Sequence, residues 1–354
     1  MLFAALASLC VLAPTAAPSS SIEARIDRTV REEISRRQIP GAAVAVIKNG
    51  VTLRAEGYGI ANIEHCVNVQ RESVFQSGSL GKQFTAAGIM LLVDKGKLDL
   101  DNPIARYLPS PARWGSITVR HLLTHTSGLP DDEVVLNLWR DYTEGELAQL
   151  TAALPRRYRP GQHYQYSNLG YALLGIIIRR VSGQFYGDFL RDNIFIPAGM
   201  HTTRVISEAD IVPRRVAGYR LVGNQIKHQE WVAPTHNTTA AGSLHLTLLD
   251  LIAWEQVVRT RALLSAESWS KSFQSATLLD GRKSPYGFGW ELERQGGKDI
   301  HYHDGSWQGF ETLLIRYVGD NLSVIILANL ADAELRPLAD KIAATVNGEA
   351  SLRD

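Results

Sequence analysis

Two β-hairpin signals stand at opposite ends of this chain and constrain its fold more than anything between them. Gly41 to Lys48 and Val51 to Tyr58 are β-rich runs separated by Asn49-Gly50, a dipeptide that turns a chain back on itself tightly. Thr312 to Tyr317 and Leu322 to Leu327 flank Gly319-Asp320-Asn321 in the same way. Ahead of the first hairpin, Ile22, Ile26, Val30 and Ile34 recur in steps of four with charges between them. They predict one buried helical face that Ile39 and Pro40 terminate. Behind the second hairpin, Ala331 to Val346 predicts a closing helix. The middle carries helical periodicity and loops, with no internal repeat and no charge block. Strands at both ends with helices between them imply an α/β fold of the α+β type. Its antiparallel sheet is built from N- and C-terminal segments and flanked by helices, with a mainly helical domain inserted. The expected lobes are 22–75 with 280–354 for the sheet and 79–260 for the helices, and a cleft at their interface is the natural place for an active site.

Composition narrows the function classes. Lys plus Arg number 37 against 36 Asp plus Glu, a net charge of +1, so the basic footprint of a nucleic-acid binder is missing. Cys10 and Cys66 are the only cysteines, too few for a disulfide framework or a Cys-based zinc site. Leu2 to Ala13 is an uncharged apolar run followed by Pro14, Thr15, Ala16 and Ala17. It predicts a signal peptide over 1–17 and a secreted or periplasmic destination. The run falls short of the roughly 20 apolar residues a spanning helix needs, so no transmembrane helix is expected in the mature chain. No Lys or Arg precedes the run, which leaves an N-terminal anchor as the alternative. The sequence carries no signal for oligomeric state.

Three short motifs fall at the expected seam. Ser79-Leu80-Gly81-Lys82 opens a helix running to about Lys95, and residues three apart on a helix share a face, so the ammonium can reach the hydroxyl. The spacing alone is weak, because Ser268-Trp269-Ser270-Lys271 repeats it in the same chain. Tyr166-Ser167-Asn168 follows a Pro160-Gly161 turn and precedes an apolar helix from Leu169 to Val181 closed by Gly183. In isolation it is a packed tyrosine with Asn168 as a helix cap. His303-Asp304-Gly305-Ser306 sits in an expected edge strand.

In this order the three motifs resemble the class C β-lactamase, DD-peptidase and esterase group of serine hydrolases, whose members carry Ser-x-x-Lys, Tyr-x-Asn and Lys-Thr-Gly-like elements. The resemblance covers nearly the whole mature chain. Phe75 through Thr85, Gly96-Lys97-Leu98, His121 through Pro130, Pro197-Ala198-Gly199-Met200, Ala241-Gly242-Ser243 and Tyr286 through Trp290 match in register, whereas Ser268 has no such company. The likeness implies an acyl-enzyme formed on Ser79, with Lys82 and Tyr166 sharing the base role and Asn168 holding Lys82 and a substrate amide. It also implies an oxyanion hole from the N–H groups of Ser79 and Ser306, and activation of the deacylating water by Tyr166. The implied partner is a small-molecule or peptide substrate, and neither a metal nor an organic cofactor is required. Which of Lys82 and Tyr166 takes the serine proton stays open, because coupled groups titrate as a unit.

The third motif departs from the group. His303 replaces a permanent cation, which favours an esterase or a D-amino-acid peptidase over a dedicated β-lactamase. It also predicts better binding of carboxylate substrates below about pH 6.5, the ordinary histidine value. A penicillin-sensing protein that acylates without turnover is the alternative. His121 with His125, and His301 with His303, have metal-ligand spacings, but no Glu intervenes in the first pair, whose segment matches the family loop instead, and the second has no obvious third ligand. No Gly-x-Ser-x-Gly occurs, which disfavours a nucleophile elbow. The loops Asp131 to Thr143 and Ile206 to His236 are expected to shape the substrate pocket.

Overall fold

The computed structural model describes residues 21–348 apart from 109–110, 112–113, 131–135, 138, 141, 206–208, 231–239 and 243. The signal-peptide expectation over 1–17 lies outside the described residues. Ser21 caps helix α1 (Ile22–Arg36) by accepting from Ala24 N, and Ile26, Val30 and Ile34 form its buried stripe. Strands β1 (Gly41–Lys48) and β2 (Val51–Asn62) pair antiparallel around Asn49 and Gly50, both at positive φ. Short strands β3 (Val67–Asn68) and β4 (Phe75–Gln76) lead to a 3₁₀ turn over Gly78–Gly81 and then to α2 (Lys82–Asp94).

The inserted region holds α3 (Val119–Leu123), α4 (Glu144–Ala153), α5 (Asn168–Ser182), α6 (Tyr186–Leu190), α7 (Ile196–Ala198), α8 (Leu248–Thr260) and α9 (Ala266–Ser272). Between α7 and α8 run β5 (Arg204–Val205), β6 (Tyr219–Val222), β7 (Gln225–His228) and β8 (Leu244–Leu246). The chain returns to the main sheet with β9 (Glu291–Gln295), β10 (Lys298–Trp307), β11 (Phe310–Tyr317) and β12 (Leu322–Ala328), then closes with α10 (Arg336–Asn347).

The main sheet is antiparallel, in the order β3-β2-β1-β12-β11-β10-β9, so its centre joins the two ends of the sequence: Ala42 faces Ala328 and Lys48 faces Leu322. Both faces of β1 are covered, which explains an apolar run with no polar alternation. Ala42, Val44 and Val46 pack with α1 and α10, and Ala43, Ala45 and Ile47 belong to the core shared with α2, α5 and α8. Sheet and inserted helices therefore share one apolar core. Asn329, fully buried just past β12, locks the seam. Its Oδ1 accepts from Gly41 N at 2.8 Å, and its Nδ2 donates to Ile60 O at 3.0 Å and Ala217 O at 3.2 Å.

Two expectations need correction. The closing helix starts at Arg336, not Ala331, because Asp332 takes φ +60° and Pro337 sits in the first turn, where its missing N–H costs nothing. The strand carrying His303 is not the sheet edge, since β9 lies outside it. The β9 pairing stops at Tyr302, however, so from His303 onward β10 has β11 on one side only.

Candidate active site

The first motif does not open directly as an α-helix. Ser79 lies in the 3₁₀ turn, and α2 begins at Lys82, whose side chain is fully buried. The turn is pressed onto the sheet at Gly305 and Thr312. Thr312 Oγ1 donates to Ser77 O at 2.7 Å, and a Cβ built on Gly305 would overlap that same carbonyl oxygen. Gly78 adopts φ +50°, and a Cβ there would lie 2.7 Å from Ser306 N. Glycine at both positions lets the backbone at Ser306 approach the backbone at Ser79 as no other residue would allow.

Lys82 Nζ lies 2.9 Å from Ser79 Oγ, 2.6 Å from Asn168 Oδ1 and 2.6 Å from the Ala241 carbonyl. The Ala241 carbonyl can only accept, and Asn168 presents its amide oxygen, so these two take N–H bonds. The remaining tetrahedral direction of the nitrogen faces the serine hydroxyl. Ser167, not Asn168, is the N-cap of α5. Its Oγ accepts from Gly170 N, which leaves the Asn168 side chain available for Lys82.

Tyr166 stands over this group, its ring centroid 4.8 Å from Lys82 Nζ. Its Oη is buried and, among the described residues, makes no hydrogen bond of ordinary geometry. Burial pushes the phenol well above 10, and contact with Ser79 pulls the other way.

Two histidines flank Tyr166 as opposite tautomers. His125 Nδ1 accepts from the Ser167 backbone N–H at 3.0 Å, so any ring proton sits on Nε2. Its ring packs 4.2 Å from that of Tyr166 and 4.5 Å from that of Tyr286. Burial holds it well below 6.5, with Lys82 and His303 adding to the shift. His303 Nδ1 lies 2.5 Å from the Asp304 carbonyl, an obligate acceptor, so that nitrogen carries the proton. Nε2 then accepts from Tyr286 Oη at 2.6 Å.

His303 is thus not the titrating carboxylate contact expected from sequence. It is buried, both ring nitrogens are taken by the protein, and burial pushes its pKa down to about 4, with Asp304 opposing and Lys82 assisting. The expected change of carboxylate affinity at pH 6.5 has no basis in this residue. Asp304 and Ser306, by contrast, are exposed.

The structure brings Ser79, Lys82, Tyr166, Asn168, His303, Asp304, Gly305 and Ser306 to one seam. Sequence reasoning missed the Ala241 carbonyl, a backbone atom no composition signal marks, and it gave His125 no role beyond membership of the matching segment His121 through Pro130 and a disfavoured metal spacing. His125 lies beyond the end of α3 at φ +56°, so it does not share a helix face with His121. His121 Nδ1 is engaged by Thr118 N and Oγ1. The Ser268 decoy is structural: its Oγ donates to Asp94 at 2.6 Å, and Lys271 pairs with Glu267.

This constellation coincides with a family match. A family model described as Beta-lactamase covers residues 26–347. The chain belongs to the Beta-lactamase family. Among curated relatives of this family, penicillin-binding protein 4* of Bacillus subtilis (strain 168) is 32% identical over 311 residues, covering 79% of this chain and 68% of that protein. A D-aminopeptidase of Gluconobacter oxydans (strain 621H) is 28% identical and is matched over 93% of this chain, which spans 63% of that protein's length. Among solved structures, the octameric penicillin-binding protein homologue from Pyrococcus abyssi superposes with a TM-score of 0.82 at 26% identity, covering 92% of this chain and 78% of that one. D-amino acid amidase from Ochrobactrum anthropi SV3 shares the fold at a TM-score of 0.79 and 24% identity, covering 92% and 99%.

Proposed function

We propose that this protein is a serine hydrolase that forms an acyl-enzyme on Ser79 and acts on carboxylic esters or on D-amino-acid amides and peptides. The observation that carries the reading is the seat of Lys82 Nζ, 2.9 Å from Ser79 Oγ with Asn168 and Ala241 accepting its other bonds. In its amine form Lys82 takes the hydroxyl proton as Oγ bonds to the substrate carbonyl carbon. The N–H groups of Ser79 and Ser306 receive the oxyanion, a role whose loss costs other enzymes about 10²- to 10³-fold in rate. Burial keeps Tyr166 a protonated phenol, so it relays the proton from Lys82 to the departing oxygen or nitrogen. As the carbon–leaving-group bond breaks, that proton completes the leaving group. Water then attacks the acyl carbon, its proton passes back through the same pair, and Oγ leaves protonated.

The D-amino-acid assignment draws on the D-aminopeptidase relative and on the loss of a permanent cation at His303. We also place the protein outside the cytoplasm, on the strength of the apolar run from Leu2 to Ala13. N-terminal sequencing of exported protein beginning at Pro18 would support that placement, and recovery of the protein in the cytoplasmic fraction with Met1 retained would overturn it.

Intact-mass analysis after exposure to phenyl acetate, a D-alanyl amide and a cephalosporin tests the activity. Wild type is expected to gain a transient acyl adduct with continued turnover of the ester or the amide, and Ser79→Ala to gain none. Turnover that survives Ser79→Ala sinks the reading. One stoichiometric cephalosporin adduct, with no turnover of any compound, would instead identify a penicillin sensor.

A further inference from the structure

We infer that Asp304 is a specificity-determining residue that turns the site against substrates bearing a carboxylate near the scissile bond and toward neutral or cationic ones. The inference rests on the acyl-enzyme reading above.

A carbonyl seated on the N–H groups of Ser79 and Ser306 lies alongside β10. Asp304 is two residues up that strand, about 7 Å at the usual rise of a strand. At this point β10 has lost its β9 partner, so Asp304 stands on a free edge beside the catalytic turn. Its side chain is 67% exposed, and its Oδ1 lies 3.9 Å from His303 Nδ1. The His303 ring centroid is in turn 6.3 Å from that of Tyr166. The carboxylate is therefore near enough for its charge to be felt at the Tyr166 phenol.

Among the described residues, no lysine or arginine forms an ion pair with it. His303 is the cation-capable group the structure pairs with Asp304, and its two nitrogens are committed to Tyr286 and to the Asp304 carbonyl. The neighbouring acids add to the field. Glu311 Oε1 accepts from Ser306 Oγ at 2.7 Å. Glu291 lies on β9 within reach of Tyr302 Oη at 3.3 Å. Both glutamates are pushed up to about 7, chiefly by burial, with the Asp304 charge contributing. A substrate carboxylate would enter beside all three of these acidic side chains.

Unit charges some 7 Å apart at the effective dielectric of a protein surface alter binding by about tenfold or more. The probe is a series of one shape and three charges: phenyl acetate, 3-carboxyphenyl acetate and 3-(trimethylammonio)phenyl acetate, each rate normalised to hydroxide-catalysed hydrolysis. In wild type kcat/KM is expected to run cationic above neutral above anionic, with the spread shrinking as ionic strength rises. In Asp304→Asn the anionic-to-neutral ratio should rise about tenfold and the cationic-to-neutral ratio should fall. Ratios are read within each variant, so a loss common to all three esters cancels. If Asp304→Asn is too unstable to assay, the wild-type salt dependence still decides the matter. Ratios within twofold between the two proteins, or a wild-type charge order indifferent to salt, would overturn the inference. Ester turnover that persists in Ser79→Ala would instead overturn the acyl-enzyme reading, so the two failures are distinguishable.

Discussion

Replacing Gly78 by alanine should disable the enzyme while leaving it folded. The added methyl would sit 2.7 Å from both Gly305 C and Ser306 N and 2.9 Å from Ser306 C. Ordinary carbon contacts begin near 3.5 Å, so either the turn carrying Ser79 or the strand carrying Ser306 must retreat by roughly 0.8 Å. The atoms that separate are the two N–H donors on which a developing oxyanion would rest. A misplacement of about 1 Å near reacting atoms costs on the order of 10²-fold, within the range for loss of one such donor. The effect on stability is smaller. A left-handed alanine costs about 1–2 kcal/mol and local overpacking about 1–3, while the stiffer unfolded chain returns about 0.4–1. A net loss of roughly 1–5 kcal/mol, centred near 3, leaves a domain of ordinary stability folded at 25 °C. The assay is kcat/KM for phenyl acetate, with thermal unfolding followed on the same sample. The expected result is a fall of about a hundredfold with a cooperative transition retained. A folded Gly78→Ala protein within threefold of the wild-type rate would refute the claim that these backbones form the seat for the carbonyl.

Three further outcomes follow from the same geometry. His125→Asn keeps an acceptor near the position of Nδ1 for Ser167 N–H, whereas His125→Leu removes it. As a positioning residue for Tyr166, His125 should lose about tenfold or more in kcat with little change in KM as Leu, with partial rescue as Asn; equal losses in the two variants would reject the role. Asn329→Leu strands Gly41 N, Ile60 O and Ala217 O and should cost about 3 kcal/mol or more in denaturant unfolding; a loss below about 1 kcal/mol would contradict the lock described above. His245, buried and pushed down to about 3 against an ordinary 6.5, stays neutral in the fold while the unfolded chain takes up its proton. Its share of stability is therefore complete above pH 6.5 and declines by about 1.4 kcal/mol per unit as the pH falls toward 3, so wild type should lose more stability than His245→Asn between pH 6.5 and 4; parallel curves would show otherwise.

Much of this fold was legible in the sequence because the decisive signals are local. Asn49-Gly50 and Gly319 to Asn321 fix two hairpins, and the four-residue spacing from Ile22 to Ile34 fixes the helix that covers them. Pairing of β1 with β12 followed only indirectly, since a run such as Gly41 to Lys48, buried on both faces, does not say which strand lies beside it. At the site, Ser79, Lys82, Tyr166 and Asn168 could be named because each motif is short and contiguous. The state of His303 could not. It depends on Tyr286 Oη, on the backbone carbonyl of Asp304 and on burial, none of which is encoded next to the histidine. The start of α10 was misplaced for a similar reason: Ala331 to Leu335 has helical composition, and the left-handed turn at Asp332 overrides it.

The central ladder between Ala42 and Ala328 also dictates an order of events during synthesis. A hairpin at residues 41–62 must wait, with one edge unpaired, until the chain has been made as far as residue 328. The turn holding Ser79 waits as well, because Thr312, which pins Ser77, follows it by 235 residues. Catalytic competence thus arrives late and all at once, and an incomplete nascent chain displays a sticky strand but no working nucleophile.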